Sequence, residues 1–214
     1  YIIQNGVDTD IFYPKSNNLK NKYRVKSNET LIFSPRGFTP LYNIDIIVDT
    51  MYLLVKHGYK IKCMFSYAFG AAYLSEIKRK IANYGLDDCV IWLGFLSYTE
   101  MAEHYNASDI VVSVPSSDSS PKSVYEGMFC QKPVIISDLS WSYELLNKTD
   151  CVLRVPVRDA KELFYATAKL IDDSDYTEFL AVNAYNTASR HFGYYDNMHR
   201  MEGIILDLIR GMHE

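Results

Sequence analysis

No run of apolar residues in the 214-residue chain is long enough to cross a bilayer, and no signal-peptide pattern is present. No membrane-spanning helix is therefore expected within this stretch, and a cytoplasmic location is the expectation. An excess of one charge is missing as well. With 22 Lys and Arg against 26 Asp and Glu, the formal net charge is −4, so no general nucleic-acid electrostatics are implied. A local basic patch facing a membrane stays compatible with that balance. Cysteine is scarce: Cys63, Cys89, Cys130 and Cys151, three in apolar strand-like runs and one in a helix, with no C-x-x-C pair. The five histidines are scattered, none at metal spacing. Buried reduced thiols and no metal site follow. Two Asp-x-Asp triplets, Asp8-Thr9-Asp10 and Asp173-Ser174-Asp175, read as turn and helix-cap chemistry rather than as metal ligands.

What remains is the make-up of one folded domain with a real core: 48% hydrophobic and 22% charged residues. The 18 tyrosines fit a compositional bias as well as they fit sugar stacking. The chain opens on YIIQNGVD, without Met, and reads as a piece of a longer protein.

Strand and helix patterns alternate along it. Lys15–Asn28 is polar and basic, a surface loop. Thr30–Ser34 is a strand. Tyr42–His57 carries apolar residues at 44, 47, 48, 51, 54 and 55, one helix face, ended by Gly58. Lys60–Ser66 is a strand, Ala71–Tyr84 a helix stopped by Gly85, and Cys89–Leu93 a strand. Ser97-Tyr98-Thr99-Glu100 is a capping box opening a helix to about Asn106. Asp109 leads the strand DIVVSV, and PVIIS is the next. Ser140–Leu146 is a short helix, Cys151–Val155 a strand, and Asp159 caps a helix to about Ile171. Helical stretches at about 175–190 and 195–212 close the chain. Six strands alternating with helices predict an α/β fold, a Rossmann-like, doubly wound, six-stranded parallel sheet flanked by helices. Ligands of such sheets bind at the carboxyl ends of the strands, where Ser34, Ser66, Gly94 and Ser113 would share one mouth.

The stretch SVPSSDSSPKSVYEGMFCQKPVIISD concentrates the chemistry. Pro121 can occupy the first turn of a helix, where its missing N–H costs nothing. The amides of Lys122, Ser123 and Val124 would then point into the mouth, where the helix dipole favours an anion. Asp118 lies before the helix and Glu126 within it. One strand–loop–helix thus offers a phosphate seat with a carboxylate on either side, suited to a sugar nucleotide.

This segment resembles the donor-site signature of family 4 retaining glycosyltransferases of the GT-B fold. That pattern is an acid, seven residues, Glu, then roughly Ala-Met-Ala-Cys-Gly-x-Pro-Val-x-x-Ser-Asp. Here it reads Asp118, seven residues, Glu126, then Gly127-Met128-Phe129-Cys130-Gln131-Lys132-Pro133-Val134-Ile135-Ile136-Ser137-Asp138. Asp replaces the usual Glu at 118, and Gly127 and Gln131 depart from the commonest residues. Residues 1–14 are similar to the family's linker into its second domain, written Pro-Asn-Gly-Val-Asp-x-x-x-Phe-x-Pro, and Asn5-Gly6 is a turn signal. Aligning YNID with the family's Lys-Gly-x-Asp puts Tyr42 where a phosphate-gripping lysine would stand, a role Lys122 could take over. Glu144 matches a family glutamate, with Ser140-Trp141 in place of a glycine pair.

The resemblance implies roles for these residues. Arg36, in SPRGF, would grip the donor diphosphate; Asp118 would contact the transferred sugar, and its side chain could also cap the following helix. Glu126 would accept from the ribose hydroxyls. Those three are the candidate catalytic groups. Gly94, Phe95 and Leu96 would meet the base through main-chain groups, and Pro121, Lys122, Ser123 and Val124 would complete the donor site. No metal or other cofactor would be needed. Residues 1–14 would be the interdomain linker, 15–190 the nucleotide-sugar-binding domain, and 191–214 a C-terminal helix packing toward an absent N-terminal domain. The full enzyme would move a hexose or N-acetylhexosamine, expected from UDP, with retained configuration. Its acceptor would be a lipid-linked or glycan hydroxyl, met through the absent domain, in bacterial surface polysaccharide such as O-antigen or capsule. It would bind no nucleic acid and could associate peripherally with the inner face of the cytoplasmic membrane; the domain alone would not turn over. A GT-B sugar-nucleotide epimerase domain and a non-catalytic sugar-nucleotide-binding module are the alternatives.

Overall fold

The computed structural model describes residue 3 and residues 6–66, 71–146 and 150–211. In chain order the elements are α1 (Leu19–Lys22), β1 (Thr30–Ser34), a 3-10 turn (Pro40–Tyr42), α2 (Ile44–Lys56), β2 (Ile61–Ser66) and α3 (Ala71–Asn83). A second 3-10 turn (Asp87–Cys89) leads into β3 (Val90–Gly94), α4 (Tyr98–Ala107), β4 (Ile110–Ser113), α5 (Lys122–Phe129) and β5 (Val134–Ser137). The last part holds α6 (Ser140–Leu145), β6 (Leu153–Val155), α7 (Ala160–Asp172), α8 (Ser174–His191) and α9 (Tyr194–Gly211).

The six strands form one all-parallel sheet in the order β3-β2-β1-β4-β5-β6. This is the doubly wound arrangement the alternating pattern predicts. The direction of winding reverses between β1 and β4, which pair through Ile32↔Ile110 and Phe33↔Val111. The loops leaving those two strands must diverge, one toward each side, so a crevice opens above the pair. Parallel strands buried on both faces need apolar residues at successive positions. Leu31, Ile32 and Phe33 accordingly split between two cores: Leu31 and Phe33 pack with Tyr105, Val111, Tyr125 and Met128, and Ile32 with Ile47, Met51, Ile77 and Phe164.

Local signals account for most boundaries. Ser97 and Glu100 make the reciprocal capping box, and Asp159 accepts from the amides of Lys161 and Glu162 at the start of α7. Gly58 and Gly85 follow α2 and α3 with φ of 89° and 66°, the left-handed conformation glycine permits. Along α2, Ile44, Ile47, Val48, Met51 and Leu54 are buried as the periodicity predicts, whereas Val55 lies at the edge of that face, 39% exposed.

Several expectations change. The basic stretch 15–28 is not all loop, because α1 forms within it, with Asn17 accepting from the Leu19 amide and Lys20 paired to Asp109 at 2.5 Å. Among the cysteines, only Cys63 lies in a strand; Cys89 ends a 3-10 turn, Cys130 follows α5 and Cys151 precedes β6. All four are free thiols. Asp8 accepts from the Asp10 amide and Asp173 caps α8, so both Asp-x-Asp triplets serve the backbone. Among the described residues no group of three or more His, Cys, Asp or Glu is placed to hold a metal ion, and no helix is long and apolar enough to cross a membrane.

The opening segment returns to the far end of the chain. Val7 bridges Gly193, donating to the Phe192 carbonyl at 2.7 Å and accepting from the Tyr194 amide at 2.9 Å. Gly6 permits that approach: a Cβ there would lie 2.6 Å from the Tyr194 Cα. Its expected turn partner Asn5, the start of the chain, and the expected helix end at 212 lie outside the described residues.

Candidate functional site

The crevice between the β1 and β4 loops collects most of the residues singled out above. Arg36 leaves β1 two residues after Ser34, and its guanidinium reaches the loop and helix that follow β4. Nη1 donates to Ser123 Oγ at 2.8 Å, and Nη2 pairs with Asp118 Oδ2 at 2.8 Å. Both side chains of the ion pair are sheltered, 12% and 16% exposed. The arginine therefore reaches the start of α5, where Lys122 is exposed and Ser123 half-buried.

Pro121 stands one position earlier than expected. It is the N-cap, with extended backbone at φ −74° and ψ 105°, and no side chain caps the helix. Its carbonyl accepts from the Val124 amide at 3.0 Å. The Val124 N–H is thus spent inside the first turn, which corrects the expectation of three open amides. Those of Lys122 and Ser123 have no protein acceptor among the described residues and remain for an anion. Asp118 does not cap the helix either; its second oxygen accepts from the Ser119 amide at 2.9 Å.

Glu126 sits one turn further along and deeper. It is 8% exposed, and its carboxylate lies 3.0 Å from the Tyr105 hydroxyl, which also reaches the Ser123 carbonyl at 2.9 Å. One phenolic proton cannot serve two acceptors fully, so the Glu126 carboxylate receives only part of a hydrogen bond. Burial raises the Glu126 pKa, opposed by the Tyr105 hydroxyl and by the charges of Lys122 and Arg36. Beside it opens a cavity of about 170 Å³ lined by Gly6, Val7, Asp8, Tyr98, Lys122, Glu126 and Tyr194.

Gly94 ends β3 at the edge of the sheet, and Phe95 and Leu96 follow it. Gly94 has φ 70°, Phe95 is 76% exposed, and Leu96 packs against the core. None of the three lines the cavity beside Glu126; Tyr98, two residues on, does. Glu144 lies on the exposed side of α6. Sequence reasoning missed Tyr98, Tyr105 and Tyr194. Tyr98 had a signal, its place just past the expected base site, whereas Tyr105 is an aromatic in an ordinary helix until the fold aims it at Glu126. Arg158 also escaped notice: from the loop before α7 it donates to Asn43 Oδ1 at 2.8 Å and pairs with Asp45 at 2.7 Å, bracing the loop that holds Tyr42.

The chain is thus an α/β domain with a six-stranded, doubly wound sheet that gathers an arginine, two helix amides and two acids at its switch point, where ligands of such sheets bind. Residues 15–187 match the family Glycosyl transferases group 1, and the chain belongs to it. Alpha-monoglucosyldiacylglycerol synthase of Streptococcus pneumoniae is 26% identical over 117 residues, 55% of this chain and 26% of that enzyme. Among solved structures, that of Anabaena HepE in complex with UDP and glucose superposes with a TM-score of 0.87 at 20% identity, over 97% of this chain and 57% of HepE. The C-terminal domain of a glycosyl transferase group 1 family protein (LpcC) from Francisella tularensis superposes with a TM-score of 0.76 at 20% identity, covering 88% of this chain and 99% of that domain. These structural likenesses establish a GT-B-type fold. The chain spans about a quarter of the curated relative, as the 26% coverage gives, and 57% of HepE.

Proposed function

We propose that the chain is the donor-binding domain of a family 4, retaining glycosyltransferase that takes a hexose or N-acetylhexosamine from UDP. The observation that carries the reading is the convergence of Arg36, Ser123 and Asp118 at the open start of α5, with Glu126 one turn below. In this reading the diphosphate lies on the amides of Lys122 and Ser123, and Arg36 and Lys122 neutralise the charge that grows on it as the sugar departs. The task of a metal falls to these protein cations. Asp118 receives hydroxyls of the transferred sugar, Glu126 receives those of the ribose, and the base extends toward Gly94–Leu96. The named complex of HepE with UDP and glucose supports the choice of UDP.

Residues 1–14 act as linker, 15–190 as the donor domain, and the C-terminal helix from 191 packs toward an acceptor domain elsewhere in the full protein. Met201, Ile205 and Leu208 support that last assignment, since all three are exposed on α9 at helical spacing. The acceptor is a lipid-linked or glycan hydroxyl in bacterial surface polysaccharide assembly, such as O-antigen or capsule, reached from the cytoplasmic side of the membrane. The named activity of the curated relative on a diacylglycerol glycolipid fits a lipid-borne acceptor. This domain binds donor but does not turn over by itself.

Saturation-transfer NMR with a panel of nucleotide sugars on this chain tests the reading. Contact to the uridine and sugar protons of a UDP-sugar, unaltered by a chelator, is expected. Contact with no nucleotide would remove it, and contact only with another base would correct the donor. Incubating the full-length protein with the selected donor then separates transfer from a purely binding role.

A further inference from the structure

Tyr42 ends the short 3-10 turn that returns the Arg36 loop to α2, and the Arg36 guanidinium lies over its ring with 4.2 Å between the guanidinium carbon and the ring centroid. The tyrosine does not float there. On one side, the Leu41 carbonyl accepts from the Ser116 amide at 2.8 Å. On the other, Asn43 adopts φ 53° and is buried; its side-chain amide donates to the Val114 carbonyl and to Ser116 Oγ, both at 2.9 Å. Arg158 holds the other side of that amide. The turn carrying Tyr42 is therefore tied directly to the loop that leads from β4 toward Asp118.

A guanidinium offers its donors in its own plane and its faces to aromatic rings. Here the guanidinium carbon lies over the Tyr42 ring, and Nη1 and Nη2 are on Ser123 and Asp118. Stacking removes the freedom of the arginine to tilt while leaving every N–H directed along the plane that meets the start of α5. It also adds attraction without adding a second positive charge beside the guanidinium. A hydroxyl is not needed for any of this.

We propose that Tyr42 is a positioning residue for the donor site: its ring, not its hydroxyl, holds the Arg36 guanidinium in the plane that receives the diphosphate. The inference rests on the reading of this mouth as a nucleotide-sugar site. Isothermal titration with UDP on the wild type and on Tyr42→Phe, Tyr42→Leu, Tyr42→Met and Tyr42→Lys tests it, with thermal melting to confirm that each variant is folded. Phe is expected to bind within about twofold of the wild type, and Leu and Met roughly fivefold to tenfold more weakly, the loss of one sheltered cation–π contact. The Lys variant is expected to bind no tighter than the wild type. Leu or Met matching the wild type would overturn the proposal, as would Phe falling as far as Leu, or Lys binding more tightly. If Leu fails to fold, Met decides. Arg36→Ala keeps the two levels apart: should it bind UDP as well as the wild type does, the donor-site reading itself fails, whereas a weakened Arg36→Ala beside an unaffected Tyr42→Leu sinks only the role of Tyr42.

Discussion

Asp118 and Glu126 are both acids within one turn or so of the same helix start, yet their surroundings are opposite. Asp118, in the loop, is held as an ion pair by Arg36 and by the Ser119 amide. Glu126, inside α5, accepts from the Tyr105 hydroxyl, and burial raises its pKa. A ligand entering the crevice consequently faces two different costs. At Asp118 it must compete for an arginine that already has an anion; at Glu126 it meets a sheltered carboxyl whose pKa burial raises. A diphosphate suits the first exchange and paired ribose hydroxyls the second. The contrast shows how differently two residues of the same chemistry are set on either side of one helix start.

Removing the arginine should break the contrast most severely. Arg36→Ala leaves Asp118 without its cation and the phosphate without its fork, and UDP affinity measured by calorimetry should fall by ~2–3 kcal/mol. Glu126→Ala should weaken UDP by a smaller ~1–2 kcal/mol, because a hydroxyl contact to one carboxylate is lost while the phosphate grip stays. A larger loss at Glu126 than at Arg36 would reverse the assignment of the two regions.

Acidity sharpens the comparison further. The raised pKa of Glu126 means that the folded state binds the proton more tightly than the unfolded chain does. Its contribution to stability is therefore fully present below the ordinary carboxylate pKa of ~4.3 and is lost as pH rises through the higher folded value. Denaturant unfolding across that range should show the wild type losing stability relative to Glu126→Gln. Binding has the opposite sign in the proposed site, where the ribose hydroxyls meet the carboxylate: wild-type affinity for UDP should climb over the same window while Glu126→Gln stays flat. Parallel profiles for the two proteins would exclude Glu126 as the titrating group.

The smallest effect concerns the helix that carries Glu126. A methyl group at Gly127 would meet Val134 at 3.4 Å and Val111 at 3.5 Å, ordinary contact distances. Gly127→Ala should raise the melting temperature, in line with ~0.5–1 kcal/mol for removing a mid-helix glycine, and leave UDP binding unchanged.

Much of this architecture was legible in the residues, since alternating apolar runs and caps such as Ser97 and Asp159 act locally and leave a trace at fixed spacing. The strand ends Ser34, Ser66, Gly94 and Ser113 were readable, and with them the mouth. The glycines that the resemblance leads one to expect at 43 and 131 have a physical reason, for Asn43 and Gln131 both sit at positive φ, 53° and 55°. What stayed hidden depends on partners distant in sequence. Nothing in the order of residues says that Asp118 will take the arginine meant for a ligand, that Tyr105 will turn its hydroxyl toward Glu126 across 21 positions, or that Tyr42 will lie against Arg36. The Val124 amide escapes the pattern for a related reason: whether a first-turn N–H is open depends on the cap's backbone angles, which Pro121 sets locally but the sequence pattern does not display.

The most direct test is a UDP titration followed by NMR on the isotope-labelled chain, with uridine as the control. One pocket formed by Arg36 and the start of α5 predicts that UDP shifts the Ser123 and Lys122 amides and the Arg36 side-chain resonance together, saturating at one concentration, while uridine leaves all three in place. If UDP moves neither the arginine nor those amides, or moves them with separate midpoints, the two are not one diphosphate site.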